Sequence, residues 1–247
     1  MADETQWVMG FHAVQAALKK GRLTSEIWVD SQRRDKRIKD LIAQARETDV
    51  KILQVSGNDL DKVAKGARHQ GVLARVLAPQ AHDETFLKAL LRRLNVAPYL
   101  LVLDGVQDPH NLGACLRTAE ATGVQAVIIP RDRSAGLNAT VCKVASGAAE
   151  VVPLIQATNL ARTLQWLKKE GVWLIGTAGE AEQSIYQTDL LGPLAIVMGG
   201  EGKGLRRLTR EQCDLLVFLP MLGSVESLNV SVATGVALYE AVRQRSA

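Results

Sequence analysis

Five short apolar runs, separated by segments with the 3.6-residue period of a helix, constrain the fold of this 247-residue chain most strongly. The runs are YLLVLDGV at 99–106, AVIIP at 126–130, WLIGTAG at 173–179, LAIVMG at 194–199 and LLVFLP at 215–220. Continuous apolar runs are typical of strands buried on both faces, and strands alternating with helices predict a mostly parallel sheet. We therefore expect an α/β fold, and the periodicity by itself predicts an open parallel sheet.

The first third of the chain alternates in the same way on a smaller scale. The helix-like segment HAVQAALKKG is followed by the β-branched runs EIWVD, VKILQV and GVLARVL, which predict a small α/β unit. The sequence LAPQAHD then has a proline and no apolar period, which is typical of a linker. We predict a small domain at 1–76, a linker at 77–83 and a larger domain at 84–247.

Charge and the first residues narrow the class of protein. The chain has 30 Lys and Arg against 26 Asp and Glu, and this formal charge of +4 permits an anionic partner without requiring one. The start MADETQWVMGF has neither a secretory signal nor a membrane span, so we expect a cytoplasmic protein.

The cysteines and histidines point away from metal and disulfide chemistry. Cys115, Cys142 and Cys213 are too widely spaced for a disulfide framework or paired metal ligands, and we expect all three to be reduced and buried. The four histidines lack a spacing such as HExxH, so we expect no metal site. There is also no GxSxG motif that would indicate hydrolysis through a covalent intermediate.

Three loops rich in glycine and polar residues follow predicted strands, where open α/β sheets place ligands. The first, LDGVQDPHNLGACLR, contains Asp108, His110, Asn111 and Arg117. Turn chemistry followed by a helix cap explains the DPHN segment equally well. The helix that follows is predicted to bury Leu112, Leu116 and Ala119 and to end at Gly123.

The second loop, VMGGEGKGL, fails both phosphate-loop patterns. A Walker A loop needs glycine where Val197 stands and Ser or Thr where Gly204 stands, and a GxGxxG pattern needs glycine at Leu205. What remains is a glycine-rich turn that lets the backbone approach a ligand, with Glu201 as its only carboxylate. A tight turn with an exposed glutamate is the alternative.

The third loop, FLPMLGSVESLNVSVATG, interleaves polar and apolar residues. The polar members are Ser227, Asn229 and Ser231. An amide and two hydroxyls beside an apolar run suit a site that orients a neutral or weakly charged ligand. The last helix is predicted to begin near Ser227, which is also a plausible N-cap.

Together and in this order, NLGACLRTAEATG, IVMGGEGKGL and LPMLGSVESLNVSVATG resemble the three signature motifs of the TrmH branch of SPOUT methyltransferases. The segments GFHAVQAAL and RHQGVLARV are similar to the small L30e-like substrate-binding domain of the same enzymes. The resemblance implies a parallel-sheet C-terminal domain with a deep trefoil knot, a homodimer, and S-adenosylmethionine bound in a bent conformation. It also implies methylation of the ribose 2′-hydroxyl of a guanosine in 23S rRNA. The knot comes from the resemblance alone, since knots are nearly absent from proteins.

The resemblance also assigns residues by motif position. It implies cofactor contacts at Thr177, Ala178, Gly179, Gly199, Gly202, Leu219, Met221 and Leu228. It implies a polar reaction centre made of Asn111, Arg117, Glu201, Ser227 and Asn229.

For the chemistry of that centre we start from a guanidinium, which keeps its proton in proteins. The hypothesis is that Arg117 grips a phosphate and stabilises the developing oxyanion, Asn111 orients the ribose, and a water or Glu201 accepts the proton. Whether Arg117 acts within its own chain or across a dimer stays open. Basic residues expected at the RNA are Arg33, Arg34, Arg37, Arg131, Arg133, Arg206 and Arg207.

Three alternatives remain on the sequence. They are the same chemistry on transfer RNA, a noncatalytic RNA-binding assembly factor with this fold, and a nucleotide-dependent oxidoreductase. The last is weakened by the failed glycine spacing.

Overall fold

The computed structural model describes residues 5–19, 23–48, 50–77, 80–200, 202 and 204–246, without the side chains of Gln6, Leu23, Thr24 and Leu77. The chain divides into two compact units, Met1–Pro79 and Gln80–Ala247. The predicted linker at 77–83 falls partly on residues 78 and 79, which lie outside the described residues.

The first unit has a four-stranded mixed sheet in the order β1-β4-β2-β3. Its elements are β1 (Thr5–Met9), α1 (Phe11–Lys19), β2 (Leu23–Asp30), α2 (Lys36–Ala45), β3 (Lys51–Val55), α3 (Gly57–Ala64) and β4 (Val72–Leu77). Strand β4 is antiparallel to β1 and β2, whereas β2 and β3 are parallel. Helix α1 and strands β2, β3 and β4 lie where the apolar pattern predicts them.

The second unit has a seven-stranded sheet in the order β7-β6-β5-β10-β8-β11-β9. Its strands are β5 (Tyr99–Asp104), β6 (Ala126–Pro130), β7 (Leu154–Ala157), β8 (Trp173–Thr177), β9 (Gln183–Ser184), β10 (Leu194–Gly199) and β11 (Leu215–Phe218). All six neighbouring strand pairs are parallel, which confirms the predicted parallel sheet. The trefoil knot stays a prediction.

Helices cover both faces of this sheet. They are α4 (Glu84–Arg93), α5 (Pro109–Ala121), α6 (Ala139–Ala145), α7 (Leu160–Lys169), α8 (Arg207–Arg210) and α9 (Val230–Arg245). Alternate residues of β5 enter two different cores: Leu101 and Leu103 pack with α5, α6 and α9, while Leu100 and Val102 pack with α4 and α7. Because both faces are buried, the strands read as continuous apolar runs instead of alternating ones.

Helix ends fix two of the loops that carry the motifs. Asp108 caps α5, its carboxylate accepting hydrogen bonds from the backbone N–H groups of His110 and Asn111. The DPHN segment is therefore a helix cap, as one of the two interpretations held. The predicted start of the last helix near Ser227 is wrong, because α9 begins at Val230 and is capped by Asn229. The side-chain oxygen of Asn229 accepts from the backbone N–H of Ser231 at 2.9 Å. Ser227 lies two residues before this N-cap position and does not make the contact.

Cys115 is buried, as expected, whereas Cys142 and Cys213 are only partly buried. Burial raises the pKa of the Cys115 thiol to about 11, although a hydrogen bond with Thr234 opposes the shift. Within the described ranges, no helix is both long and apolar enough to cross a membrane.

Candidate active site

The carboxyl ends of three neighbouring strands form one cavity in the second unit. Strand β10 pairs in parallel with β8, and β8 pairs in parallel with β11, so Thr177, Gly199 and Phe218 end at the same edge of the sheet. A cavity of about 790 Å³ opens there. This volume lies within the range of sites that hold small organic ligands.

All of the predicted cofactor contacts line this cavity. They are Thr177, Ala178, Gly179, Gly199, Gly202, Leu219, Met221 and Leu228. They come from three separate stretches of the chain that the sheet brings to one edge. Ser227, predicted for the reaction centre, lies on the same wall.

The cavity wall suits a ligand with both apolar and hydrogen-bonding surface. Its side chains are mainly apolar, including Met198, and much of the rest of the wall is glycine backbone. A Cβ atom placed on Gly179, Gly202 or Gly204 would meet nothing within 4 Å, so the backbone there is open to an approaching ligand. These residues fit S-adenosylmethionine, whose adenine needs apolar contacts and backbone hydrogen bonds.

The two described ends of the glycine loop at 199–205, Gly199 with Gly200 and Gly204 with Leu205, lie in close contact. A Cβ atom on Gly199 would lie 2.2 Å from the carbonyl carbon of Gly204, a distance that real Cβ atoms do not reach. Gly200 and Gly204 also form an isolated antiparallel bridge. Glycine at Gly199 is therefore required by the close approach of the two limbs of the loop. Glu201, the predicted carboxylate, lies outside the described residues.

Arg206, one of the predicted RNA contacts, is held by a buried carboxylate. Its Nε lies 2.5 Å from Oδ1 of Asp104, its backbone N–H donates to Oδ2 of the same carboxylate at 2.9 Å, and its Nη2 completes an ion pair. The side chain of Asp104 is fully buried at the end of β5. A buried carboxylate needs a paired cation, and the partly exposed guanidinium of Arg206 supplies it. Contact of Arg206 with RNA stays a prediction.

Two further predicted residues meet beside the cavity. Nδ2 of Asn229 donates a hydrogen bond to Oδ1 of Asn111 at 3.0 Å, which joins the first turn of α5 to the start of α9. Asn229 stands between Leu228 and Val230, both of which line the cavity, although neither asparagine is part of the wall itself. The first and third motifs are thus joined directly through their amides.

Arg117 does not line the cavity of its own chain. It lies two turns along α5 from the helix start, its side chain is exposed, and it is absent from the cavity wall. Of the predicted reaction centre, Asn111, Asn229 and Ser227 lie together or near one another.

The other predicted RNA contacts differ in their surroundings. Arg33 is held by an ion pair with Asp35 and donates to the backbone of Gln70. Arg207 pairs with Glu211 on the surface of α8. The remaining predicted contacts, Arg34, Arg37, Arg131 and Arg133, are exposed.

A charged pair on the cavity wall was not predicted. Glu180, just beyond β8, forms an ion pair with Arg210 of α8, and both line the cavity. A hydrogen bond from its own backbone and the nearby Arg210 hold the pKa of Glu180 below its ordinary value. The position of Glu180 directly after a predicted strand could have indicated a site residue. Arg210 could not have been found in this way, because it contacts Glu180 only in the folded chain. Across the described ranges there is no cluster of three His, Cys, Asp or Glu side chains that could hold a metal ion.

The fold and this site match one family of enzymes. The model of the SpoU rRNA Methylase family matches residues 98–239, more than half of the chain, and a model for RNA 2′-O ribose methyltransferase substrate binding matches residues 7–82. The chain therefore belongs to the SpoU rRNA methylase family.

Individual relatives cover almost the full length. The chain is 57% identical over 244 residues to the 23S rRNA (guanosine-2′-O-)-methyltransferase RlmB of Pseudomonas putida, and the alignment covers 98% of each protein. The crystal structure of an RNA 2′-O ribose methyltransferase is 27% identical, with a TM-score of 0.79 over 100% of this chain and 91% of that one. The SpoU methyltransferase AviRb from Streptomyces viridochromogenes, solved with the cofactor AdoMet, shares the fold at 22% identity, with a TM-score of 0.80 over 98% of this chain and 91% of its own.

Proposed function

We propose that this protein transfers the methyl group of S-adenosylmethionine to the ribose 2′-hydroxyl of a guanosine in 23S rRNA, in the cytoplasm. The observation that carries the proposal is the 57% identity with a 23S rRNA (guanosine-2′-O-)-methyltransferase along 98% of both chains. The cavity supports it, because the predicted cofactor residues line a single space at the end of the parallel sheet.

The cavity at the ends of β8, β10 and β11 is the proposed cofactor site. Backbone groups of 177–179 and of the glycine loop would hold the adenosine part, and Leu219, Met221 and Leu228 would cover its apolar surface. When bound, S-adenosylmethionine supplies an electrophilic methyl group on a sulfonium. An apolar wall excludes water, which would otherwise compete for hydrogen bonds with the polar groups of the site.

The joined amides of Asn111 and Asn229 are the proposed anchor for the ribose. They lie at the starts of two helices, where the helix dipoles favour negative charge. A 2′-hydroxyl that loses its proton becomes negatively charged, so this end of the site would stabilise the reacting oxygen. Ser227 would orient the same group, and a water or Glu201 would take the proton.

A homodimer would supply the missing arginine. Arg117 is exposed and does not line the cavity of its own chain, so we place Arg117 of a second copy at the reaction centre. Exposed apolar side chains beside the cavity and along α9 support this arrangement: Leu222 is 99% exposed, Val232 52% and Tyr239 55%. Such a group of apolar residues is typical of a surface that another protein covers.

The division of labour follows the two units. We propose that residues 1–76 form the RNA substrate-binding domain, 77–83 the linker and 84–247 the catalytic domain. Exposed Arg34, Arg37, Arg131 and Arg133 are the proposed phosphate contacts. RNA affinity that rests on phosphate contacts falls steeply as salt rises.

Transfer of labelled methyl from S-adenosylmethionine to protein-free 23S rRNA and to bulk tRNA tests the proposal. The modified nucleotide is then mapped by mass spectrometry. We expect 2′-O-methylguanosine in 23S rRNA and none in tRNA. Methylation of tRNA alone would overturn the substrate, and no transfer to free RNA or to ribosomal precursor particles would favour a noncatalytic assembly factor.

A further inference from the structure

One residue holds both ends of the glycine loop at 199–205. At the entry, the backbone N–H of Gly200 donates to the carbonyl oxygen of Asp104 at 2.9 Å. At the exit, the backbone N–H of Arg206 donates to Oδ2 of the Asp104 carboxylate, also at 2.9 Å. The guanidinium of Arg206 pairs with Oδ1 of the same group.

The loop also presses directly on the turn that follows β5. A Cβ atom on Gly200 would lie 2.5 Å from the carbonyl oxygen of Gly105, so the two backbones are already in close contact. Only a few residues further along, Asp108 caps α5 and fixes the first turn that carries Asn111. Asp104 therefore lies between the loop that lines the cavity and the helix that carries Asn111.

We infer that Asp104 and Arg206 are positioning residues for S-adenosylmethionine, which act by fixing the shape of the glycine loop. The inference rests on the proposed function and adds to it two residues, neither of which lines the cavity. Neither side chain is required to touch the cofactor. The glycine loop, which the pair fixes, contributes Gly199, Gly202 and Gly204 to the cavity wall.

The chemistry of the pair explains why a neutral contact would not serve equally well. The Asp104 side chain has no exposure, whereas that of Arg206 is 40% exposed, so the pair is anchored from inside the sheet and reaches outward to the loop. A guanidinium donates in a fixed planar fork, so a paired carboxylate restricts both the position and the direction of Arg206. Because glycine restricts the backbone least, a glycine-rich loop gains most from such a fixed end.

The test separates positioning from simple stability. Removing Arg206 alone leaves an unpaired buried carboxylate, which is strongly destabilising, but replacing both members of a buried pair is often neutral. The informative variant is therefore the double substitution Asp104→Asn with Arg206→Met. Its matched control is Asp214→Asn with Lys168→Met, a partly buried ion pair at the opposite edge of the same sheet, where Asp214 accepts from the backbone of Leu174.

Both double variants and the wild-type chain are compared by thermal melting and by calorimetric titration with S-adenosylmethionine. We expect the Asp104/Arg206 variant to melt near the wild-type temperature and to bind S-adenosylmethionine about tenfold or more weakly. The control variant is expected to keep wild-type affinity. Unchanged affinity in a folded Asp104/Arg206 variant would overturn the inference.

A second substitution keeps the test decisive if the double variant does not fold. Arg206→Lys retains the charge that compensates Asp104 but loses the planar fork, so it is expected to fold and still bind S-adenosylmethionine more weakly. Wild-type affinity in Arg206→Lys would then overturn the inference. If the wild-type chain itself bound no S-adenosylmethionine, the proposed function would fail instead, which the titration of the wild type shows separately.

Discussion

Replacing Asn229 by alanine removes two different contributions at once. The side-chain oxygen of Asn229 caps α9 through the backbone N–H of Ser231 at 2.9 Å and accepts from the Ser231 hydroxyl at 2.6 Å. Its amide nitrogen donates to Asn111, which is only 7% exposed. The substitution therefore loses a helix cap and leaves the Asn111 side chain without that donor.

The expected loss of stability follows from these contacts. Loss of an N-cap costs about 1 kcal/mol, and loss of a hydrogen bond to a buried polar group costs about 1 kcal/mol more. The sum of about 2 kcal/mol lowers the melting temperature of a domain of this size by roughly 4–8 °C. Methyl transfer should fall further, by about 10²-fold, because misplacing a reacting group by about 1 Å has an effect of this order.

Two further variants divide the effect. Asn229→Ser keeps a capping oxygen and loses the amide, so it should recover about half of the stability and little of the methyl transfer. Asn159→Ala is the matched control, since Asn159 caps α7 through the backbone N–H of Arg162 at 3.1 Å and does not line the cavity. It should lose about 1 kcal/mol and keep its activity.

Differential scanning fluorimetry and the labelled-methyl assay measure the two quantities on the same samples. Full methyl transfer in Asn229→Ser would refute the reasoning, since it would show that the amide link to Asn111 has no part in the reaction. A melting temperature of Asn229→Ala within about 1 °C of the wild type would refute the stability estimate.

Three other predictions address the loop, the dimer and the thiols. Gly199→Ala should force the two limbs of the glycine loop apart by about 1 Å, because its Cβ would lie 2.2 Å from Gly204 and carbon atoms pack at about 3.5 Å. Calorimetry should show strongly weakened S-adenosylmethionine binding, and wild-type affinity would contradict the loop geometry. Mixing inactive Arg117→Ala and Asn111→Ala chains should restore methyl transfer if Arg117 acts across a dimer, because one of the two sites is then intact, whereas neither variant alone should recover. Burial raises the pKa of the Cys115 thiol to about 11, so only about 10⁻³ of it should be thiolate at pH 8, and it should resist alkylation there. The rate of alkylation should grow as the pH rises toward 11. Rapid labelling of Cys115 at pH 8 in the folded chain would contradict its burial.

The strands that could be predicted are the ones whose burial is visible locally. Strands β6 and β10 have the bounds of the apolar runs AVIIP and LAIVMG, since both faces of each are covered and every residue is apolar or small. Strand β7, Leu154–Ala157, was not predicted because it has four residues and includes Gln156. It is a strand because it pairs with β6, where Gln156 stands opposite Ile129. The local sequence pattern around Gln156 holds no information about that partner strand.

The residues of the cavity were accessible from the sequence in a different way. The resemblance to the signature motifs implied them by motif position, and the parallel sheet brings them to one edge. The pairing of Asp104 with Arg206 was not accessible, because 102 residues separate the two and an arginine after a glycine loop reads as a solvated surface residue. Spacing rules describe contacts within a helix or a turn, and they carry no information about a carboxylate on a strand that becomes a neighbour only when the sheet forms.

Strand β10 has a consequence for how this enzyme can be made. Among the described strands it alone pairs with both β5 on one side and β8 on the other, so without it the sheet divides into β7-β6-β5 and β8-β11-β9. A nascent chain that has not yet released residues 194–199 from the ribosome can form only the half β7-β6-β5, because β11, the central strand of the other half, is translated after β10. The cavity needs still more of the chain, because Leu228, Val230 and Ala233 form part of its wall. A protein that we propose to act on ribosomal RNA thus acquires its cofactor site only when its own translation is nearly finished.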